Sequence, residues 1–284
     1  MAGVPLAPVH PDPHEPMLRP VDPDAVPDLS DRDAAPPDGV PDGSELKEEL
    51  AARLERIDEA AAALYAEGKR AALFVLQARD TGGKDGTIRR VFGAVNPQSM
   101  ALTSFAAPAG EERKHDFLWR VHRAVPGFGQ VGVFNRSHYE DVLAARVRRL
   151  VPDEVWRGRF EQINDFERIL AGNGIVVVKL FLHISRGEQR KRLLKRLDKP
   201  EKRWKFDPTD LQDRMLWDEY TAAYRDVFAR CSTEHAPWYV VPADDKTVRD
   251  FLVAGIVADT LERMDPQIPE ADPEVLAYAD DLRK

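Results

Sequence analysis

The feature that most constrains this chain is a six-residue run, Ala71-Ala-Leu-Phe-Val-Leu76, that carries no polar side chain and is flanked by charged residues. A run this short and this apolar reads as a strand buried on both faces. That happens where helices cover a sheet from both sides. The alternation continues along the chain. Strand patterns recur at Leu102–Phe105, Val131–Phe134, Ile175–Ile184 and Trp238–Val241. Helical patterns lie between and after them, over Thr87–Phe92, His115–Ala124, Glu140–Leu150, Glu154–Leu170 and about Lys246–Met264. Upstream, Ser44 stands as an N-cap before Leu46, Leu50, Leu54, Ile57, Ala61 and Leu64, which share one helical face up to Gly68. The expectation is an α/β fold with a parallel sheet wrapped on both faces.

Charge divides unevenly. Residues 1–43 hold nine acids against Arg19 and Arg32, and 11 of the 22 prolines. The remaining residues carry 40 acids and 39 bases, so most of the net charge of −8 belongs to the N-terminal segment. Such a composition predicts a disordered Pro/Asp-rich tail over 1–43. Residues 44–265 are expected to form the folded domain, and the acidic, poorly patterned residues 266–284 a C-terminal extension. A single cysteine, Cys231, excludes a disulfide framework and a Cys-rich zinc site. No apolar run reaches membrane-spanning length and no secretory leader is evident, which predicts a cytoplasmic protein with no membrane and no nucleic-acid partner.

Three segments carry chemistry. The first strand runs into Gln77-Ala-Arg-Asp80-Thr-Gly82-Gly83-Lys84-Asp85-Gly86-Thr87 and then a helix. Glycines let backbone N–H groups converge on an anion, a helix start favours negative charge, and Lys84 neutralises it. The match to the Walker A pattern G-x-x-x-x-G-K-[ST] is imperfect: Ala78 stands at the first glycine, and Asp85 follows the lysine. Asp80 can offer a carboxylate to Mg²⁺. The third strand ends in Asn135-Arg136-Ser137-His138-Tyr139-Glu140-Asp141. Ligands of open α/β sheets bind at the carboxyl ends of strands, so Asn135, Arg136, Glu140 and Asp141 are expected in the crevice with Lys84. Arg136 suits phosphate and Asp141 suits Mg²⁺. Finally, residues 186–205 hold ten bases and three acids. A solvated helix would explain the run in isolation; a basic lid over a phosphate site explains why it is so lopsided.

Taken together, Asp80–Thr87, Val95–Gln98, His115–Arg120 and Phe134–Asp141 resemble the polyphosphate kinase 2 family. Glu161–Glu167, Lys179–Ser185, Asp198–Phe206 and Ala236–Asp244 extend the similarity, which runs from about Leu46 to Leu261. The Glu140-Asp141 pair, Val151–Trp156 and Gln162–Asp165 look most like its class III. The resemblance implies a P-loop kinase-like three-layer sandwich with a helical lid over about 186–206. It implies phosphoryl transfer between inorganic polyphosphate and nucleoside mono- or diphosphates, AMP or ADP to ADP or ATP. Mg²⁺, with Mn²⁺ as a substitute, and a homodimer or homotetramer are implied too. On that basis Asp80, Lys84, Arg136 and Asp141 are the expected catalytic residues, and Asp80 and Asp141 the expected metal ligands. Gly82, Gly83, Gly86, Asn135, Glu140 and Phe105 line the nucleotide and its phosphates, and Arg190, Arg192 and Lys195 are the lid cations. The sequence departs from the family pattern at Ala78, Ala106, His235 and Lys246-Thr247. Two rivals remain open at this point. One is an ATP-dependent nucleotide kinase on the same fold, the other a catalytically weak polyphosphate-binding protein.

Overall fold

A computed structural model describes residues 17–283. Five strands, β1 (Ala71–Ala78), β2 (Met100–Ser104), β3 (Val131–Asn135), β4 (Ile175–His183) and β5 (Trp238–Pro242), form one parallel sheet in the order β2-β3-β1-β4-β5. Around it lie α1 (Gly43–Glu67), α2 (Lys84–Arg90), α3 (Trp119–His122), α4 (Ala144–Val147), α5 (Asp153–Gly172), α6 (Arg186–Asp198), α7 (Thr209–Met215), α8 (Trp217–Cys231), α9 (Lys246–Arg263) and α10 (Pro273–Leu282).

β1 shows why the sheet must be covered twice. Ala72, Phe74 and Leu76 face a core shared with Leu50, Ile57 and Leu64 of α1 and Phe251, Val253 and Val257 of α9. Ala71, Leu73 and Val75 face a second core, with Phe160, Ile163 and Phe166 of α5 and Tyr224 and Phe228 of α8. Side chains alternate across a strand, so a run apolar at every position feeds both layers. The three-layer α/β sandwich expected for a P-loop kinase-like fold is the one found.

Topology places the site. From central β1 the chain goes first to β2 and β3 on one side, then to β4 and β5 on the other. The crevice therefore opens at the carboxyl end of β1, where the order reverses. Leu76 lies opposite Asn135 of β3, and Ala78 opposite Leu182 of β4. The segments that follow these three strands consequently meet at one end of the sheet.

Several expectations need correction. Described residues 17–43 pack, whereas residues 1–16 of the expected tail lie outside the described residues. Leu29 and Ala34 are buried. Val21 N donates to Trp238 O (2.7 Å), Ser232 Oγ to Val21 O (2.7 Å) and Asp244 N to Ala34 O (3.2 Å). His183 Nε2 donates to Ser30 O (2.8 Å), and Asp31 Oδ1 accepts from Arg186 N (2.8 Å). The segment is thus a strap across the exposed edge of β5. Composition weighs only burial against entropy; it cannot see that a sheet edge offers unpaired backbone groups, or that prolines lower the cost of ordering an extended chain. The helix expected over 140–150 is broken into a 3₁₀ turn, His138–Asp141, and the single turn α4. Only α3 is helical within 115–124. In the C-terminal extension the structure places α10, with Val275, Tyr278 and Leu282 exposed. Among the described residues no helix is long and apolar enough to cross a membrane.

Candidate active site

The glycine-rich segment folds into a tight loop between β1 and α2. Thr81 adopts φ 64° and Gly83 φ 104°. Positive φ costs a non-glycine residue about 1–2 kcal/mol, so Thr81 stores strain at the site. Gly82 is required for a different reason: a Cβ there would stand 2.5 Å from the Ala78 methyl and 2.9 Å from Arg79 O. The methyl that departs from the family pattern at position 78 is therefore accommodated because residue 82 has none. A Cβ on Gly83 would run into the Arg249 guanidinium, which α9 presses against the loop. Arg249 is itself held by Asp250, with Nε and Nη2 donating to Oδ1 at 2.9 and 2.6 Å.

Lys84 opens α2 and donates from Nζ to Ala78 O (3.3 Å), which folds its ammonium back over the loop. Burial, reinforced by Arg136, lowers its pKa below the usual lysine value, while Asp80, Glu140 and Asp85 pull the other way. Arg136 also has positive φ (61°), and its Nη2 donates to Asp80 Oδ1 at 3.4 Å. Asn135 Nδ2 donates to Asp85 Oδ1 (3.0 Å), tying the turn after β3 to the start of α2. Burial raises the Glu140 pKa, opposed by Arg136 and Lys84. With its amide oriented to satisfy both neighbours, Gln77 donates to Glu140 Oε1 (3.1 Å) and accepts from Ser137 Oγ (3.2 Å). Asp80, Lys84, Arg136 and Glu140 thus form one cluster of alternating charge, as the sequence led us to expect.

Beside this cluster opens a cleft of about 980 Å³, counted to its mouth. Asp80, Arg136, Glu140 and Asp141 line its polar end, and Phe105, Ala106, Leu143, Ala145 and Leu150 supply apolar wall. Its mixture of apolar wall with few polar groups suits a small organic ligand. Phe105 is a buried wall residue, set edge-on against Phe134 with centroids 4.9 Å apart. Sequence reasoning missed four cleft residues here, Arg79, Arg148, Asp213 and Tyr220. Arg79 donates to Trp217 O (3.1 Å) and Thr221 Oγ1 (2.6 Å), and burial lowers its pKa to about 10. Arg148 Nε donates to Asp213 Oδ1 at 2.9 Å, and Tyr220 Oη donates to the same oxygen at 3.2 Å. Asp213 and Tyr220 belong to α7 and α8, which the strand and motif patterns did not cover.

Two expected sites have partners that the sequence did not announce. Arg159 Nη1 of α5 donates both to Asp141 Oδ1 (2.9 Å) and to its carbonyl (3.0 Å). Among the described residues, no three acid, His or Cys side chains stand close enough to cage a metal ion. Mg²⁺ needs no such cage, because it commonly takes one or two carboxylates and completes its shell with phosphate oxygens and water. Asp80 fits that pattern, and Asp141 can fit it through Oδ2, since Arg159 takes only its Oδ1.

The three lid cations do not act alike. Arg190 and Lys195 are exposed, but Arg192 is only 9% exposed. Its Nε donates to Glu188 (2.8 Å), Nη1 to Thr81 O (3.0 Å), and Nη2 to Ala243 O (2.6 Å) and Asp244 O (3.0 Å). Arg192 is a staple joining α6, the glycine-rich loop and the segment after β5. The inward face of α6 is Gln189, Arg192 and Leu193, while Leu194 and Leu197 point to solvent. Lys246, at the start of α9, has its pKa lowered by burial and by Arg192, Lys195 and Arg249 around it. None of these four cations lines the cleft. The loop therefore has a partly apolar cleft on one side and a cluster of cations beyond it. Cys231 is buried with its thiol pushed up to about 12, which makes it inert.

Known proteins are similar to this chain in sequence and fold. The model of the polyphosphate kinase 2 family matches residues 42–269. The chain is 53% identical over 220 residues to the AMP/ADP-polyphosphate phosphotransferase of Meiothermus ruber, covering 78% of this chain and 81% of that protein. It is 43% identical over 236 residues to the ADP-polyphosphate phosphotransferase of Rhodopseudomonas palustris, covering 79% and 82%. The solved structure of polyphosphate kinase 2 from Arthrobacter aurescens has a TM-score of 0.83 and 42% identity, over 87% of this chain and 90% of that one. Loop, turn, sheet order and kinship agree, and the chain belongs to the polyphosphate kinase 2 family.

Proposed function

We propose that this protein transfers phosphoryl groups between inorganic polyphosphate and AMP or ADP. The observation that carries the reading is the position of Lys84 and Arg136 between two unlike compartments. One is the partly apolar cleft, which would take the nucleotide. The other is the group Lys195, Lys246 and Arg249, which would take the anionic chain. The names of the Meiothermus and Rhodopseudomonas relatives support the same substrates.

Phosphoryl transfer asks a protein mainly for positioning and neutralisation of charge. Lys84 and Arg136 would grip the phosphoryl group in flight from two sides, as fixed donors aimed at its oxygens. Arg136 leaves Asp80 for the phosphate at little cost, since their contact is long and its side chain partly exposed. Asp80 would hold Mg²⁺, which when bound screens the repulsion between donor and acceptor phosphates. Gln77 would keep the Glu140 carboxylate turned toward Lys84 and Arg136, so that the two cations stay in place when no phosphate is present. α6 and the 3₁₀ turn after it, Pro200–Lys205, would act as the lid, and the exposed Arg190 and Lys195 would extend its positive face. Assembly as a homodimer or homotetramer and a cytoplasmic location belong to the same proposal.

The test is a donor swap: purified protein, Mg²⁺ and AMP or ADP are mixed with either polyphosphate or ATP as sole donor. New ADP or ATP from polyphosphate is the expected result. Turnover with ATP alone would instead make the protein a conventional nucleotide kinase, and binding of polyphosphate without turnover would make it a scaffold.

A further inference from the structure

Behind the turn that carries Arg136 and Glu140 lies a polar network that the proposed chemistry does not touch. Lys179 of β4 and Glu167 of α5 are both fully buried. Lys179 Nζ donates to Glu167 Oε2 (2.5 Å), to Tyr139 Oη (2.9 Å) and to Cys231 O (2.6 Å). Tyr139 Oη donates in turn to Glu167 Oε1 (2.9 Å), and His138 Nε2 meets the same oxygen at 3.2 Å. The network is closed around the carboxylate, in the middle of an apolar core of Phe166, Phe228 and Trp238.

A buried ion pair is a poor source of stability, because apolar residues of similar volume do as well or better. Its location suggests another use. His138 and Tyr139 are the first two residues of the 3₁₀ turn whose last two are Glu140 and Asp141. Arg136, two residues earlier, is held at positive φ. A single 3₁₀ turn makes few hydrogen bonds of its own, so outside anchors must fix its orientation. Glu167 anchors its inner side through His138 and Tyr139. Two turns earlier on the same helix, Arg159 anchors Asp141 at the other end. Directional bonds to a buried carboxylate admit one orientation of the turn, whereas apolar packing tolerates sliding.

Resting on the phosphotransferase reading above, we propose that Glu167, Lys179 and Tyr139 are positioning residues, which hold Arg136 and Glu140 in register with Lys84 across the sheet. The network acts only through the backbone of residues 136–140. Its loss should therefore lower kcat far more than it changes the nucleotide KM, since the apolar wall of the cleft comes from Phe105, Ala106, Leu143, Ala145 and Leu150, outside that stretch.

Three variants test this: Tyr139→Phe, Glu167→Gln, and an apolar triple, Tyr139→Phe with Glu167→Leu and Lys179→Met. The single changes should lower kcat with ADP and polyphosphate while the KM for ADP stays within about twofold. The triple should melt at or above the wild-type temperature yet lose about 100-fold in kcat, the order expected when reacting groups shift by about 1 Å. A triple variant with wild-type melting and wild-type kcat would overturn the proposal, leaving the network as mere packing. If the triple fails to fold, Tyr139→Phe decides, and wild-type kcat in that variant overturns the proposal equally. Wild-type enzyme that shows no turnover from polyphosphate would defeat the functional reading and this inference with it.

Discussion

Replacing Arg192 with methionine keeps the aliphatic stem of the side chain and deletes its guanidinium. Four acceptors lose their donor: the Glu188 carboxylate and the carbonyls of Thr81, Ala243 and Asp244. Removing one partner of a buried charged group costs about 3–5 kcal/mol. Most of these bonds are only partly buried, so water can replace some of them, and the lower end applies. At about 2–4 °C per kcal/mol for a chain of this size, the melting temperature should fall by roughly 6–12 °C. Circular dichroism melts of Arg192→Met beside a double variant, Arg190→Gln with Lys195→Gln, make the comparison. The double variant removes two exposed cations and should melt within about 0.5 kcal/mol of wild type. It should instead weaken polyphosphate binding and flatten its log–log salt dependence by roughly 1.4, at about 0.7 for each charge of a single-stranded polyanion that is no longer neutralised. The reasoning fails if Arg192→Met melts like wild type while flattening the salt dependence. Arg192 would then be a ligand for the polyanion and not a staple.

Three further outcomes are expected. Lys84→Ala should abolish transfer from polyphosphate while leaving the circular dichroism spectrum unchanged; near-normal turnover would remove the loop from the mechanism. Glu140→Gln should inactivate the enzyme and raise its melting temperature at neutral pH, because burial raises the Glu140 pKa and its ionised form disfavours the fold. That penalty applies above the raised folded pKa and is relieved as pH falls through it toward the unfolded value of about 4.3, so the gap between variant and wild type should narrow on acidification; a constant gap would refute it. Deleting residues 1–42 should lower the melting temperature by several degrees through loss of the strap on β5, and equal melting would show the strap to be dispensable.

What the sequence determined by itself is what depends on local pattern. An apolar run at every position of β1 can only be a doubly covered strand, and a glycine-rich turn between strand and helix can only be a close-approach loop. Asp80, Lys84, Arg136 and Glu140 lie within a few residues of strand ends, so a parallel sheet necessarily gathers them at one rim. Tertiary structure alone decided the rest, because it depends on helical phase and on which distant segment arrives. Arg190, Arg192 and Lys195 carry the same charge in sequence, yet only position 192 points inward, where carbonyls of residues 81, 243 and 244 converge on it. Asp141 gains a partner only when α5 brings Arg159 against it. The strap reads as disordered until β5 proves to be an edge with backbone groups to spare. Lys179 breaks the apolar pattern of β4 without any partner nearby in sequence. Glu167, twelve residues away on the helix packed against that strand, is what makes the buried charge tenable.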